Sequence, residues 1–443
     1  MFFYKYVDIG YYTLYYFNKR ELKRGETMGL FKRKKAAIER ARMDTVHEIV
    51  CLYCFRNFAH DRVMFRALEA LDAEGYREQY DEILDEYRAR FHMDTAGLLP
   101  AVLDPDHFGE VSKGYYRGVL LSLKDDYDNI TSKRICPFCH NDIPQSAGFA
   151  PSTVISVVGA TQSGKSVFLT SLIHTLKTVT PHNFPIFCTP INNEMGRKFK
   201  MEYEDPLIND GLLLEPTQKE KQQEPLIFTF SFADGEKPEI NIAFFDVAGE
   251  GIVDTAYMDI YAAHIRNSSG ILFLVDPLQF RSVGRKIMLK NDMDYDLRFT
   301  GEPAEVLSGL VEDYIYKQGG GVSDIPTAVV LTKTDLLENL QGDGEYMRSN
   351  SHLFKNFTHK GYFNVKEFYN IDGETDEFIS LVDPNFRNAL KRRFYNLGFF
   401  AVSALGSKPE GQRVASFAPV RVDEPFLWIL YRLGYIDEGG YEN

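Results

Sequence analysis

Residues 154–176 read Val154-Ile-Ser-Val-Val-Gly-Ala-Thr-Gln-Ser-Gly-Lys-Ser-Val-Phe-Leu-Thr-Ser-Leu-Ile-His-Thr-Leu176. The first five are apolar and β-branched apart from one serine and predict a buried parallel strand. Behind them Val167, Leu169, Leu172, Ile173 and Leu176 recur at helical spacing. Between strand and helix, Gly159, Gly164, Lys165 and Ser166 fit G-x-x-x-x-G-K-[ST]. The glycines let backbone N–H groups of the loop, which also holds Ala160, Thr161, Gln162 and Ser163, curl around a phosphate. The helix N-terminus, through Val167, faces the same anion. Lys165 can reach β- and γ-phosphates, and Ser166 can ligate Mg²⁺. A glycine-rich turn with an incidental Lys-Ser would share these letters, but here strand and helix sit where the motif needs them.

Downstream, 185–190 predicts a strand, 193–203 a polar helix and 212–218 an irregular stretch. Leu226-Ile-Phe-Thr-Phe-Ser-Phe232 alternates as a strand does, and Ile240-Asn-Ile-Ala-Phe-Phe245 is a second strand ending in Asp246-Val-Ala-Gly249. An aspartate at the carboxyl end of a buried strand suits Mg²⁺ beside a phosphate loop, and Gly249 can offer its N–H to a γ-phosphate. Residues 269–275 predict the next buried strand, ending at Asp276-Pro277, and 301–317 a helix. Thr327-Ala-Val-Val-Leu331 is another strand and runs into Thr332-Lys333-Thr334-Asp335. A carboxylate there can accept hydrogen bonds from guanine N1 and N2, a donor pair that adenine lacks, while the Lys333 stem covers the base. Asp335 would thus select GTP; the plainer reading is a strand followed by a charged turn. Phe399-Phe-Ala-Val402 leads to Ser403-Ala404-Leu405, a turn suited to offering an N–H to guanine O6. In the closing helix, 423–433, Asp423 or Glu424 can cap, Pro425 suits the first turn and Trp428 belongs to the core.

Upstream, Cys51-Leu-Tyr-Cys54 and Cys136-Pro-Phe-Cys139 hold four of the five cysteines, 81 residues apart. Two such knuckles can complete a tetrahedron of thiolates around Zn²⁺. The gap exceeds ordinary ribbon spacing, so the pattern predicts a ribbon split by an insertion. His60 and His140 are nearby substitute ligands; a redox dithiol and unrelated cysteines are the other readings. Cys188 reads as a small buried residue. Within the insertion, apolar residues at helical spacing over 61–92 predict a mainly helical element, and 98–122 is mixed.

A chain of 443 residues suggests two to three domains. Hydrophobic residues at 44% and charged residues at 26% describe a folded, water-compatible chain. A net charge of −13 argues against broad nucleic-acid binding and leaves only a local site, through the ribbon. No run approaches the roughly 18 apolar residues of a membrane span. Met1 to Phe17 is rich in Tyr and Phe without a signal-peptide pattern, and Met28-Gly-Leu-Phe-Lys-Arg-Lys-Lys reads as a natural start. Residues 1–27 are then either upstream of that start or an aromatic docking segment. The basic stretch 32–43 reads as a solvated helix face. A cytoplasmic location is expected.

The motifs at 159–166, 246–249, 332–335 and 403–405 resemble the guanine-nucleotide motifs of the Ras-like, translation-factor class of GTPases, over about residues 153–435. The split ribbon just before the phosphate loop is similar to the zinc-ribbon double-GTPase families of bacterial conflict systems. That resemblance implies protein partners, including a second GTPase and effector proteins. It implies an α/β fold: a mainly parallel sheet with helices on both faces, preceded by a split zinc ribbon with a helical insertion. The expected division is an N-terminal extension (1–45), the ribbon (46–150), the GTPase domain (151–435) and a tail (436–443). The resemblance also implies a switch threonine on Mg²⁺, for which Thr217 fits best and Thr189 second. Where related enzymes often place Gln to orient the attacking water, this chain has Glu250. Its charge would oppose the γ-phosphate, so slow or partner-dependent turnover is expected. Arg281 or Arg285 as an internal arginine finger is the less favoured reading of those residues.

Overall fold

The strand expected at 154–158 runs from Thr153 to Gly159 and is buried along its whole length, near the middle of a seven-stranded sheet. This computed structural model describes residues 46–68, 75–91, 93–149, 152–160, 163–215, 224–233, 237, 239–246, 264, 266–292, 303–310, 321–342 and 345–439. In chain order the sheet strands are β1 (Thr153–Gly159), β2 (Ile186–Pro190), β3 (Leu226–Phe232), β4 (Ile240–Asp246), β5 (Gly270–Val275), β6 (Thr327–Leu331) and β7 (Leu397–Ala401). From β1 onward the described α-helices are α1 (Lys165–Thr178), α2 (Asn193–Phe199), α3 (Gly284–Lys290), α4 (Pro303–Leu310), α5 (Val365–Val382), α6 (Pro384–Arg393) and α7 (Glu424–Arg432). Spatial order is β2-β3-β4-β1-β5-β6-β7. The last five of these are mutually parallel, and β2 and β3 add an antiparallel edge.

The parallel strands read as unbroken apolar runs because both their faces are covered. Ile155, Val157, Leu272, Leu274, Val330 and Phe400 point to one face, where they pack with Phe168 and Leu172 of α1 and Leu427 and Trp428 of α7. Their neighbours Val158, Ile271, Phe273, Val329 and Phe399 point to the other, against Ile287, Leu307, Ile379 and Leu390 of α3 to α6. Those helices line the half of that second face nearer β7. On the other half, Val154, Ile227 and Ala243 of β1, β3 and β4 share a core with Cys51, Phe55, Leu120, Cys136 and Ile143. The cysteine module is therefore a layer of the sheet sandwich, not a bead ahead of it.

The insertion between the knuckles departs from the helical expectation over 61–92. Its described helix is Glu82–Arg90, whereas Met64–Arg66 is a strand pairing with both Arg134–Ile135 and Val102–Leu103. Val63 and Phe65 are fully buried on alternate residues, and that two-residue period outweighs the helical spacing read across the whole stretch. The helix starts where it does because Asp81 accepts from Leu84 N. Farther on, Lys113–Tyr116, Val119–Lys124 and Ile130–Thr131 form a three-stranded sheet. The helix expected at 301–317 is described as α4 and no further. At α7, Asp423 occupies the N-cap position without a side-chain cap bond, because its Oδ2 takes the hydroxyl of Thr180 at 2.7 Å.

Candidate functional site

The carboxyl ends of parallel strands are where open α/β sheets place ligands. β1 ends at Gly159, and the chain enters α1 through Gly164, whose φ of 84° a side chain would resist. A Cβ at Gly159 would lie 2.8 Å from the carbonyl of Leu274 and 2.7 Å from Ser163 Oγ, so this turn closes only around a glycine. The N-cap residue of α1, Gly164, makes no side-chain cap bond, and a helix N-terminus of this kind suits an anion. Lys165 Nζ donates to the carbonyls of Gly159 and Ala160 at 3.2 Å each, holding an ammonium at the mouth of the loop. Ser166 occupies the first turn of α1.

The segment after β6 lies against this loop. Thr332 Oγ1 donates to the carbonyls of Ser163 and Val275. Lys333 sits at φ 52°, and its Cε lies 3.8 Å from where a Cβ on Gly164 would be. Two residues on, Asp335 Oδ1 accepts the Ser403 hydroxyl at 2.6 Å. Ser403 in turn accepts from Gly406 N, and Ser171 of α1 donates to the carbonyl of Ala404 at 2.6 Å. The expected residues Gly159, Ala160, Ser163, Gly164, Lys165, Thr332, Lys333, Asp335, Ser403 and Ala404 thus form one connected edge of the sheet. Ser166, Val167 and Leu405 adjoin it along the chain. β4 ends at Asp246, beside β1 with its Cα opposite Val157. Thr161, Gln162, Thr217, Gly249 and Glu250 lie outside the described residues. Thr189 is on the edge strand β2, its hydroxyl directed to the carbonyl of Thr229.

Motif reading passed over two residues here. Asp276 follows β5 and accepts Lys333 Nζ at 2.5 Å. Its signal was an aspartate at the carboxyl end of a central strand. Ser171 ties the phosphate-side helix to the turn at 403–405; no local pattern marks it.

The second candidate centre is the cysteine cluster. Sγ atoms of Cys51, Cys54, Cys136 and Cys139 lie within 4.8 Å of one another and all four residues are buried. Cys51–Cys139 and Cys54–Cys136 are both 3.7 Å apart, and all are free thiols. A zinc tetrahedron with bonds of about 2.3 Å has edges of about 3.8 Å, so the four sulfurs fit that ion. Burial pushes the Cys51 and Cys139 thiols well up, while hydrogen bonds from Cys136, Cys139 and Cys51 hold Cys54 down. Thiols this close and this buried could hold a metal ion, whose charge would offset the burial of thiolates. The two knuckles share one geometry. Phe55 N donates to Cys51 O and His140 N to Cys136 O, and both residues are left-handed, at φ 57° and 53°. His140 stands outside the sulfur cluster; its Nδ1 faces the Asp81 carboxylate at 2.9 Å, and Asp81 also binds Arg66 at 2.5 Å. These contacts lower the Asp81 carboxyl to about 2 against the pull of burial. His60 likewise stands outside the sulfur cluster.

The first knuckle touches β1 through one relay. The Phe55 ring packs edge-on to His264 at 4.9 Å, and Asn267 Nδ2 donates to Phe55 O at 2.9 Å. His264 Nε2 lies 3.2 Å from the hydroxyl of Ser156 on β1.

No family model matches the chain. It is 25% identical over 332 residues to the Mycolicibacterium smegmatis protein named "Putative ESX-1 scaffolding and assembly protein SaeC", covering 68% of this chain and 80% of that one. Among solved structures it is similar to the Arl6 BBS3 small GTPase of Trypanosoma brucei with GppNp: 11% identity, 65% of this chain, all of that one, TM-score 0.27. It is also similar to Methanosarcina barkeri Roco2 RocCORdC bound to GDP: 14% identity, 64% of this chain, 48% of that one, TM-score 0.26. TM-scores of this size carry no functional weight. No helix among the described residues is long and apolar enough to cross a membrane.

Proposed function

We propose that this chain is a cytoplasmic GTP-binding switch that hydrolyses GTP to GDP. The loop amides and Lys165 hold the phosphates, Ser166, Asp246 and Thr217 hold Mg²⁺, and Gly249 senses the γ-phosphate. Asp335 reads guanine N1 and N2 under the Lys333 stem, and the turn at 403–405 reads O6. Phosphoryl transfer to water then depends on positioning and electrostatics, with Glu250 facing the water. Four Cys thiolates hold a structural Zn²⁺ beside the sheet. One observation carries the reading: Thr332 and Lys333 lie against the same loop as Lys165, the phosphate-side lysine, and Asp335, two residues on, is joined to the turn at 403–405.

Calorimetric titration of the purified full chain tests it. GTP should bind in a Mg²⁺-dependent manner, at least about a hundredfold more tightly than ATP. Equal binding of both, or of neither, sinks the reading.

A second reading, a scaffold on which GTP is structural and scarcely turned over, is favoured by the name of the mycobacterial relative and by the Glu250 carboxylate. Phosphate release, measured alone and with a candidate second GTPase or effector, separates the two. Absence of turnover in every setting leaves the scaffold.

A further inference from the structure

Asp276 lies outside every motif, yet its carboxylate is a partner of the base-side lysine. Its side chain is only 3% exposed. Oδ2 accepts Lys333 Nζ at 2.5 Å, and Oδ1 accepts Leu278 N at 2.8 Å, which fixes the carboxylate as the cap of a short helical turn, Pro277–Gln279. The position of Asp276 is therefore set by β5 and by this turn, independently of any nucleotide. Lys333 is set differently. Its backbone is left-handed, a conformation that a non-glycine residue adopts only at a cost. Its flexible four-carbon stem has many rotamers, and its side chain is 35% exposed. A lysine in this position would sample many rotamers unless its ammonium were tethered. The tether brings the end of the stem beside the phosphate loop, with Cε 3.8 Å from where a Cβ on Gly164 would be.

We propose that Asp276 is a positioning residue for base recognition: it holds Lys333 as a rigid apolar shelf under the purine. This rests on the guanine reading above. The tether places the cation at the buried end of the shelf and its methylenes toward the base. Binding then meets a stem already ordered, so the cost of fixing it is not charged against affinity.

The test uses the full chain with GTP and, as a probe of phosphate binding alone, inorganic tripolyphosphate. Asp276→Asn keeps the shape and an oxygen for Leu278 N but removes the charge that holds the ammonium. It should weaken GTP by roughly tenfold or more, as expected for loss of a charge-assisted hydrogen bond, and leave tripolyphosphate within about twofold. In a Lys333→Met background, Asp276→Asn should add no more than about twofold, because there is no ammonium left to place. A purely structural role would instead weaken both probes, and would persist without the lysine. GTP binding by Asp276→Asn within twofold of wild type, or an undiminished effect in the Lys333→Met background, overturns the proposal while leaving the guanine reading standing. Failure of the wild type to bind GTP in preference to ATP overturns both. If the asparagine variant does not fold, Lys333→Gln decides: a GTP loss below twofold equally overturns it.

Discussion

Replacing Asp335 with Asn is the sharpest probe of the base-side pocket. The carboxylate accepts the Ser403 hydroxyl through Oδ1 at 2.6 Å. That bond also survives with an asparagine carbonyl, so the turn at 403–405 should stay in place and the variant should fold. What changes is the face toward the base. The carboxylate offers two acceptors to the guanine N1–H and N2–H groups; asparagine offers one acceptor and one amide that opposes the N2–H donor. Hydrogen bonds to charged groups contribute about 1.5–3 kcal/mol each, and an unpaired donor costs a similar amount. A loss of about 3 kcal/mol corresponds to roughly 150-fold in affinity. Xanthosine triphosphate carries a carbonyl where guanine has the 2-amino group, so it should gain what GTP loses. Competition binding of GTP, XTP and ATP to wild type and variant gives the answer. Retention of GTP affinity within about threefold, or no gain of XTP, refutes the placement of guanine against Asp335.

Three further outcomes follow from the same geometry. Purified protein should carry about one zinc per chain, and Cys136→Ser should lose it by elemental analysis with a fall in melting temperature, since Cys136 lies in the core that covers β1, β3 and β4. Gly270→Ala would put a Cβ 2.7 Å from Ile429 Cγ2, so urea unfolding should show a loss of about 1–3 kcal/mol. Burial lowers the His264 imidazole to about 3, while an unfolded histidine protonates near pH 6.5. Between those values the unfolded chain binds the extra proton, so stability falls as pH drops through that window. From pH 8 to pH 5 this group alone should remove about 2 kcal/mol, and His264→Gln should flatten the denaturation profile by that amount.

The phosphate loop was legible because its chemistry is local: strand, glycines, lysine and helix are consecutive. The strands were legible for a related reason. Val154, Ile271 and Val329 lie in runs buried on both faces, and such runs need no knowledge of partners. The four cysteines paired into knuckles by spacing alone, although 81 residues separate them. The insertion misled because Val63 and Phe65 owe their burial to strands at 102–103 and 134–135, which no window over 61–92 contains. His140 looked like a ligand because it follows Cys139; only Asp81, brought from the insertion, reveals where its ring is used.

The sequence by itself determined the α/β class, the order of strands along the chain and the residues that could meet a phosphate, a guanine and a metal ion, because each of those depends on neighbours within a few positions. Tertiary structure decided which residues meet. It laid Lys333 against Gly164 and tethered it to Asp276, 57 positions away in the chain. It joined Ser403 to Asp335 across two strand ends and turned the cysteine module into a covering layer of the sheet. Those contacts arise from parallel strands whose carboxyl ends align and from apolar faces that had to be covered. Such requirements act across the whole sheet and leave no mark in any single stretch of sequence.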